Sequence, residues 1–226
     1  MFKIIRPIRK YTTPEFVGRY SGRKRTIYEK AAETMKARRI VKRDFRVTPF
    51  LKVEKTKFDV DTIDHTGKVK DPVPRLIGPR SPEYRLELGR YTAACEKKMF
   101  ECIDSLFDSP TVFKSMNPIE QGEALHSKFG KFSKPVAFGL DASRFDQHMS
   151  IVALLWEHLF YTKFFPNDPY LKYLLRGQLV NKMKTIVEGV MYQYTTQGGR
   201  MSGDPNTSLG NCLVMCGMVY SFCQDR

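Results

Sequence analysis

Gly139-Leu140-Asp141-Ala142-Ser143-Arg144-Phe145-Asp146-Gln147-His148 is the stretch whose reading decides the fold. It follows the short apolar run Val136-Ala137-Phe138, bounded by Pro135. Such a run predicts a buried strand whose C-terminal end delivers Asp141 into a cleft. Two acids, Asp141 and Asp146, then stand five apart. A carboxylate at a strand end suits a divalent metal, because Mg²⁺ takes hard oxygen ligands. An acid beyond the next turn is displaced from that metal and suits a ribose hydroxyl, the 2′-OH being both donor and acceptor. The spacing alone does not decide between these roles and a cap or turn.

The second informative stretch runs from Gly198 to Asn211, where a loop of small residues passes into an apolar helix ending near Cys223. Ser202 and Gly203 offer a short polar side chain where backbone must approach closely. Thr207 and Asn211 are four apart and share a helix face, from which Asn211 could complete a sugar test with Asp146 only if the fold brings the two stretches together. Between the two stretches, Met149 to Phe165 reads as a buried helix, and Asp168-Pro169 caps another reaching about Leu179. Thr185 to Tyr194 reads as a hairpin around Glu188-Gly189. His148 and His158 have no ligand-spaced partner and read as packing or hydrogen-bonding residues.

Upstream, Ser81-Pro82-Glu83 is an N-cap followed by Pro in the first turn, and it predicts a long amphipathic helix to Phe107. Residues 108–135 read as turns around a short helix. Phe50 to Phe58 and Val73 to Arg80 read as two extended segments, with a polar loop from Gly67 to Pro74 between them, and Ile27 to Val41 as a surface helix.

The 226 residues suit one large domain or two intimate subdomains. The formal charge is +14, and residues 1–90 carry 24 Lys and Arg against 11 Asp and Glu, so nearly all the excess lies there. That asymmetry is the footprint of a polyanion-binding surface, for nucleic acid or nucleotide phosphate. Five cysteines without a CxxC pair, Cys95, Cys102, Cys212, Cys216 and Cys223, read as reduced core thiols. No apolar run reaches the roughly 18 to 20 residues that span a bilayer, so a soluble, intracellular chain is expected.

The motifs together resemble the RNA-dependent RNA polymerases of positive-strand RNA viruses, in particular the tombusvirus group. G-L-D-A-S-R-F-D-Q-H (139–148) is similar to that group's motif A and R-M-S-G-D-P-N-T-S-L-G-N-C-L (200–213) to its motif B. K-V-E-K (52–55) and D-P-V-P-R-L-I-G-P-R (71–80) resemble the basic motif F. E-L-G-R-Y (87–91) and E-F-V-G-R-Y-S-G-R-K-R-T-I-Y (15–28) are similar to neighbouring segments of the group. The resemblance implies an α+β right-hand polymerase fold with fingers and the first part of the palm, the thumb being absent. Residues 1–135 are then fingers, and 136–226 the front of the palm, with an insertion at 149–197 and motif B within 198–213.

It further implies templated transfer of nucleoside monophosphates from triphosphates to an RNA 3′ end. Asp141 would be the catalytic metal ligand for Mg²⁺ or Mn²⁺, and Asp146, Ser202, Thr207 and Asn211 would recognise the ribose. Lys52, Lys55, Arg75 and Arg80 would line the path of the incoming triphosphate and RNA. Template and nascent RNA are the implied partners, at replication complexes in the host cytoplasm, with any membrane anchor in a segment outside these residues.

One departure stands out. The Gly-Asp-Asp of motif C is missing from these 226 residues, as are later palm motifs and the thumb. The chain by itself is therefore expected to be inactive and to need a downstream palm and thumb segment. A non-catalytic RNA-binding protein derived from a polymerase is the alternative. A DNA polymerase or reverse transcriptase fits less well, because Asp146 stands where those enzymes place a bulky steric gate.

Overall fold

The computed structural model describes residues 3–53 and 75–224. In chain order these form α1 (Thr13–Val17), α2 (Gly22–Ala37), β1 (Phe50–Leu51), β2 (Leu76–Ile77), α3 (Pro82–Phe107) and α4 (Pro118–Phe129). There follow α5 (Ile151–Phe164), α6 (Pro169–Arg176), β3 (Val180–Val187), β4 (Val190–Gln197) and α7 (Thr207–Gln224). The predominance of helices with a few antiparallel strands makes this an α+β chain. Lys55, the Gly67–Pro74 loop and the last part of the first extended segment lie outside the described residues.

The caps expected from sequence set the helices. Ser81 Oγ accepts the Tyr84 N–H at 3.1 Å and Pro82 occupies the first turn, so α3 begins where its signals stand. Asp168 caps α6 in the same way, its Oδ1 accepting the Leu171 N–H at 2.9 Å. Helix α2 starts earlier than expected and stops at Ala37. Past that point the Arg38 guanidinium forks onto Asp44 at 2.6 and 2.9 Å, and Asp44 also accepts the Val41 N–H, drawing the chain out of the helix.

Helix α3 is the axis of the core. Tyr84, Leu88, Tyr91, Cys95, Met99 and Ile103 recur at helical spacing and are buried against Phe160, Tyr161 and Phe164 of α5, Leu171 and Leu174 of α6, and Leu209 and Leu213 of α7. Each such side chain contributes about 1.5 to 3 kcal/mol of transfer free energy. On the opposite side Phe16, Val17, Tyr28 and Ala31 of α1 and α2 cover Leu86. Cys95 is buried, and Cys212 and Cys216 pack against the core as expected, but Cys223 is exposed near the end of α7, where no core reaches it.

The hairpin is the one read from the sequence. β3 and β4 pair antiparallel from Val180↔Gln197 to Val187↔Val190, and the two-residue turn puts Glu188 and Gly189 at φ 50° and 80°. Positive φ at both positions gives the turn whose twist matches the strands. β1 and β2 pair as Phe50↔Ile77 and Leu51↔Leu76. Val47 joins β3 by a parallel bridge to Met183, extending the sheet by one short chain segment.

Two further expectations are corrected. Val136-Ala137-Phe138 is not a buried strand: it forms no regular element, and Val136, Phe138 and Leu140 are 72, 86 and 77% exposed. A strand needs neighbours to take its N–H and C=O groups and to cover its apolar face, and none runs beside it among the described residues. Helix α5 is buried on one side only. Leu154, Phe160 and Phe164 face the core while Val152, Leu155 and Leu159 are exposed. Among the described residues no helix is long and apolar enough to cross a membrane.

Candidate functional site

The loop between β4 and α7 is fastened to the Asp146 region by backbone. Gly199 N–H donates to Met149 O and Arg200 N–H to Asp146 O, both at 2.7 Å, and Gly198 N–H donates to Leu179 O at 2.8 Å. At Gly203 the loop passes so close to the preceding segment that an added Cβ would lie 2.5 Å from Pro79 Cα, so only glycine fits. Ser202 Oγ accepts the Gly78 N–H at 3.3 Å, tying the loop to the end of β2. Thr207 Oγ1 donates within the loop, to Met201 O at 2.9 Å and Asp204 O at 3.0 Å, and so shapes the start of α7.

Below the loop lies a buried polar network centred on Glu157 of α5. Its carboxylate accepts from the Arg200 guanidinium, from Asn206 Nδ2 at 2.8 Å and from the Tyr161 hydroxyl at 2.7 Å. Gln178 Nε2 donates to Asn206 Oδ1 at 2.7 Å and to Asp204 Oδ2 at 2.9 Å, and Gln178 Oε1 faces His158 Nε2 at 3.1 Å. Burial holds the His158 imidazole below its ordinary pKa. Burial also opposes the charge on Arg200, but the Glu157 carboxylate outweighs it and raises the Arg200 pKa. Polar groups out of water are costly unless bonded, so this network locks the loop into one arrangement.

Arg80 departs from its expected place on the triphosphate path. Its side chain is buried: Nε donates to Asp204 Oδ1 at 2.9 Å, Nη1 to Phe45 O at 2.6 Å, and Nη2 to Asn181 Oδ1. Its charge is neutralised inside the protein, where it clamps β3 and the loop to the segment before α3. Asn181 in turn donates to Gly198 O at 2.8 Å.

Beside this framework opens a cleft of about 640 Å³, lined among others by Arg75, Gly78, Arg144, Asp146, Tyr194, Arg200 and Ser202. Asp146 and Asn211 meet as expected, Asn211 Nδ2 donating to Asp146 Oδ1 at 2.7 Å. Asn211 Oδ1 and two nitrogens of Arg200, Nε and Nη1, are buried without a partner among the described residues. Lys52 and Arg75 stand together at the β1–β2 ladder, the Lys52 N–H donating to Arg75 O at 2.9 Å. The cleft therefore offers cations for an anion and, at the Asp146–Asn211 pair, acceptors for a hydroxyl.

Asp141 is exposed and does not line this cleft. As a hard oxygen donor it fits Mg²⁺, but among the described residues no group of three His, Cys, Asp or Glu side chains is gathered to hold a metal. The residues that sequence reasoning missed are Glu157, Gln178, Asn181, Asp204 and Asn206. The available signal was Glu157-His158 set among Leu, Trp and Phe, since a charge in an apolar helix is seldom buried unless paired.

Comparison with known proteins gives the family. The family model for viral RNA dependent RNA polymerase matches residues 2–226. The RNA-directed RNA polymerase of Tobacco necrosis virus (strain A) is 45% identical over 209 residues, covering 92% of this chain and 28% of the relative. That of Red clover necrotic mosaic virus is 42% identical, covering 96% and 27%, and that of Cucumber necrosis virus 44% identical, covering 92% and 24%. The chain thus spans about a quarter of the length of the curated relatives it matches. With a family match over nearly all of its residues, this chain belongs to the viral RNA-dependent RNA polymerases.

Proposed function

We propose that the chain is the nucleotide-selecting part of an RNA-directed RNA polymerase that adds nucleoside monophosphates from triphosphates to an RNA 3′ end on an RNA template. Residues 1–135 serve as fingers and 136–226 as the front of the palm in a right-hand fold. The observation that carries the reading is the Asn211–Asp146 hydrogen bond at the edge of a cleft that also presents Arg75 and Arg144. The arginines attract the triphosphate, and the Asp146–Asn211 pair tests the ribose, where a 2′-OH supplies a hydrogen bond that deoxyribose lacks. Arg80 acts as an internal clamp in this scheme, and Thr207 and Ser202 hold the loop shape.

Asp141 would be one of the carboxylates holding a divalent cation, Mg²⁺ or Mn²⁺, which would supply charge stabilisation of the transferring phosphoryl group. The 226 residues by themselves bind but do not catalyse. A polymerase-derived RNA-binding protein, in which the basic cleft holds RNA without nucleotidyl transfer, is the second reading. The two are separated by incorporation assays on a complete polymerase containing this segment, as found in host-cell replication complexes. Loss of incorporation in Asp141→Ala with RNA binding retained supports the polymerase, whereas full activity of that variant refutes the metal assignment.

A further inference from the structure

The hairpin has two faces, and only one belongs to the cleft. Met183 and its cross-strand partner Tyr194 line the cleft, and Met183 packs with Val47 in a small buried cluster. Side chains alternate across a sheet, so Lys182 and Lys184 are turned to the other face, where both are exposed. The segment beside β3 alternates in step: Val47 N–H donates to Lys182 O at 3.0 Å, Lys184 N–H donates to Val47 O at 3.1 Å, Val47 is buried, and Arg46 and Thr48 are exposed.

Three cations from two distant parts of the sequence thereby share one outer sheet face. Two depressions of about 720 and 240 Å³ adjoin there, sharing Arg46 and Lys184. Arg43 and Arg85 extend the first, and Gln193 and Thr195 add hydrogen-bonding groups to the second. No Asp or Glu lines either depression, and none of Arg43, Arg46, Arg85, Lys182 and Lys184 makes an ion pair among the described residues. Along β3 the two lysines are about 6.6 Å apart, two strand residues, on the order of the separation of successive phosphates in an extended single strand. Concentrated positive charge without neutralising acids is a binding face for a polyanion, and it is unfavourable to the fold itself through self-repulsion.

We propose that this outer face of β3, with Arg43, Arg46 and Arg85, binds the sugar-phosphate backbone of single-stranded RNA, separately from the nucleotide cleft on the inner face. The choice of RNA over other polyanions rests on the polymerase reading; the face itself rests on charge and strand alternation. Binding is through phosphates, without base readout, and so is steeply salt-dependent.

The test is equilibrium binding of a fluorescent single-stranded oligoribonucleotide by the 226-residue chain, across a salt series. The variant Arg46→Gln/Lys182→Gln/Lys184→Gln is compared with Lys97→Gln/Lys163→Gln/Lys172→Gln, which removes the same charge from exposed positions elsewhere. The first should bind at least tenfold more weakly at low salt, and its log–log salt slope should fall by about 2, at roughly 0.7 per phosphate contact for a single strand. The second should change affinity less than threefold. Equal losses in both variants, or no loss in the first, overturn the proposal. So does a loss confined to vesicles containing anionic phospholipid. Lysine acetylation of the unaltered chain gives a readout independent of variant folding: RNA should protect Lys182 and Lys184 but not Lys97 and Lys172, and equal protection refutes the site. Failure here leaves nucleotide incorporation by the complete polymerase untouched, so the two readings fail separately.

Discussion

Asn211 Nδ2 donates to Asp146 Oδ1 at 2.7 Å although 65 residues separate them. The bond joins the first turns of α7 to the acid-bearing loop at the cleft edge. Asn211→Leu keeps the volume and removes the donor. A hydrogen bond to a charged group is worth about 1.5 to 3 kcal/mol, and 1.4 kcal/mol is tenfold. In the complete polymerase, preference for ribonucleoside over 2′-deoxyribonucleoside triphosphates should fall about tenfold or more in kcat/KM. An unchanged preference would remove the pair from sugar recognition.

The Glu157–Arg200 pair makes a prediction about stability. Both side chains are essentially out of solvent, so removing one leaves the other as an uncompensated buried charge, at a cost of about 3 to 5 kcal/mol. Urea unfolding of Glu157→Leu should show that loss, and Glu157→Leu/Arg200→Met should recover part of it. If the double variant is no more stable than the single one, the pair is not coupled as the geometry requires.

Gly203 and Gly122 should respond in opposite directions to the same substitution. Gly203→Ala drives a methyl into the Pro79 backbone and should cost about 1 to 3 kcal/mol. Gly122 lies in α4 with nothing within 4 Å of an added Cβ, so Gly122→Ala should gain up to about 1 kcal/mol from helix propensity. Urea midpoints measured side by side decide it, and a stabilising Gly203→Ala would contradict the close approach of loop and Pro79.

His158 introduces a pH dependence. Burial lowers its folded pKa below the ordinary 6.5, so the unfolded chain takes up the proton first. More protons on the unfolded state make stability rise with pH, so this contribution is present above 6.5 and lost as pH falls toward the folded value. Between pH 7.5 and 5.5 the urea midpoint should drop, and His158→Gln should flatten the drop. An equal drop in the variant would assign it to other groups.

Local signals were legible wherever a few neighbouring residues decide the outcome. Ser81-Pro82 and Asp168-Pro169 start helices, and Glu188-Gly189 turns the hairpin, because caps and turns are chemistry within one turn of chain. The meeting of Asp146 and Asn211 was legible through the paired motifs rather than through spacing. Arg80 was not, because an arginine in a basic stretch looks the same whether it faces a cleft or an aspartate 124 residues away. Nor was the outer face of β3. Lys182 and Lys184 sit in the nearly neutral part of the chain, and only the register of β3 beside Val47 concentrates them with Arg46.

The run from Val136 to Leu140 has a practical consequence. Val136, Phe138 and Leu140 alternate along a backbone that no neighbouring strand pairs among the described residues, and all three are more than two-thirds exposed. An unpaired apolar ribbon is a template for joining chain to chain, so concentrated solutions of these 226 residues are prone to aggregate through it. The substitution Phe138→Lys would act as a gatekeeper there and improve solubility.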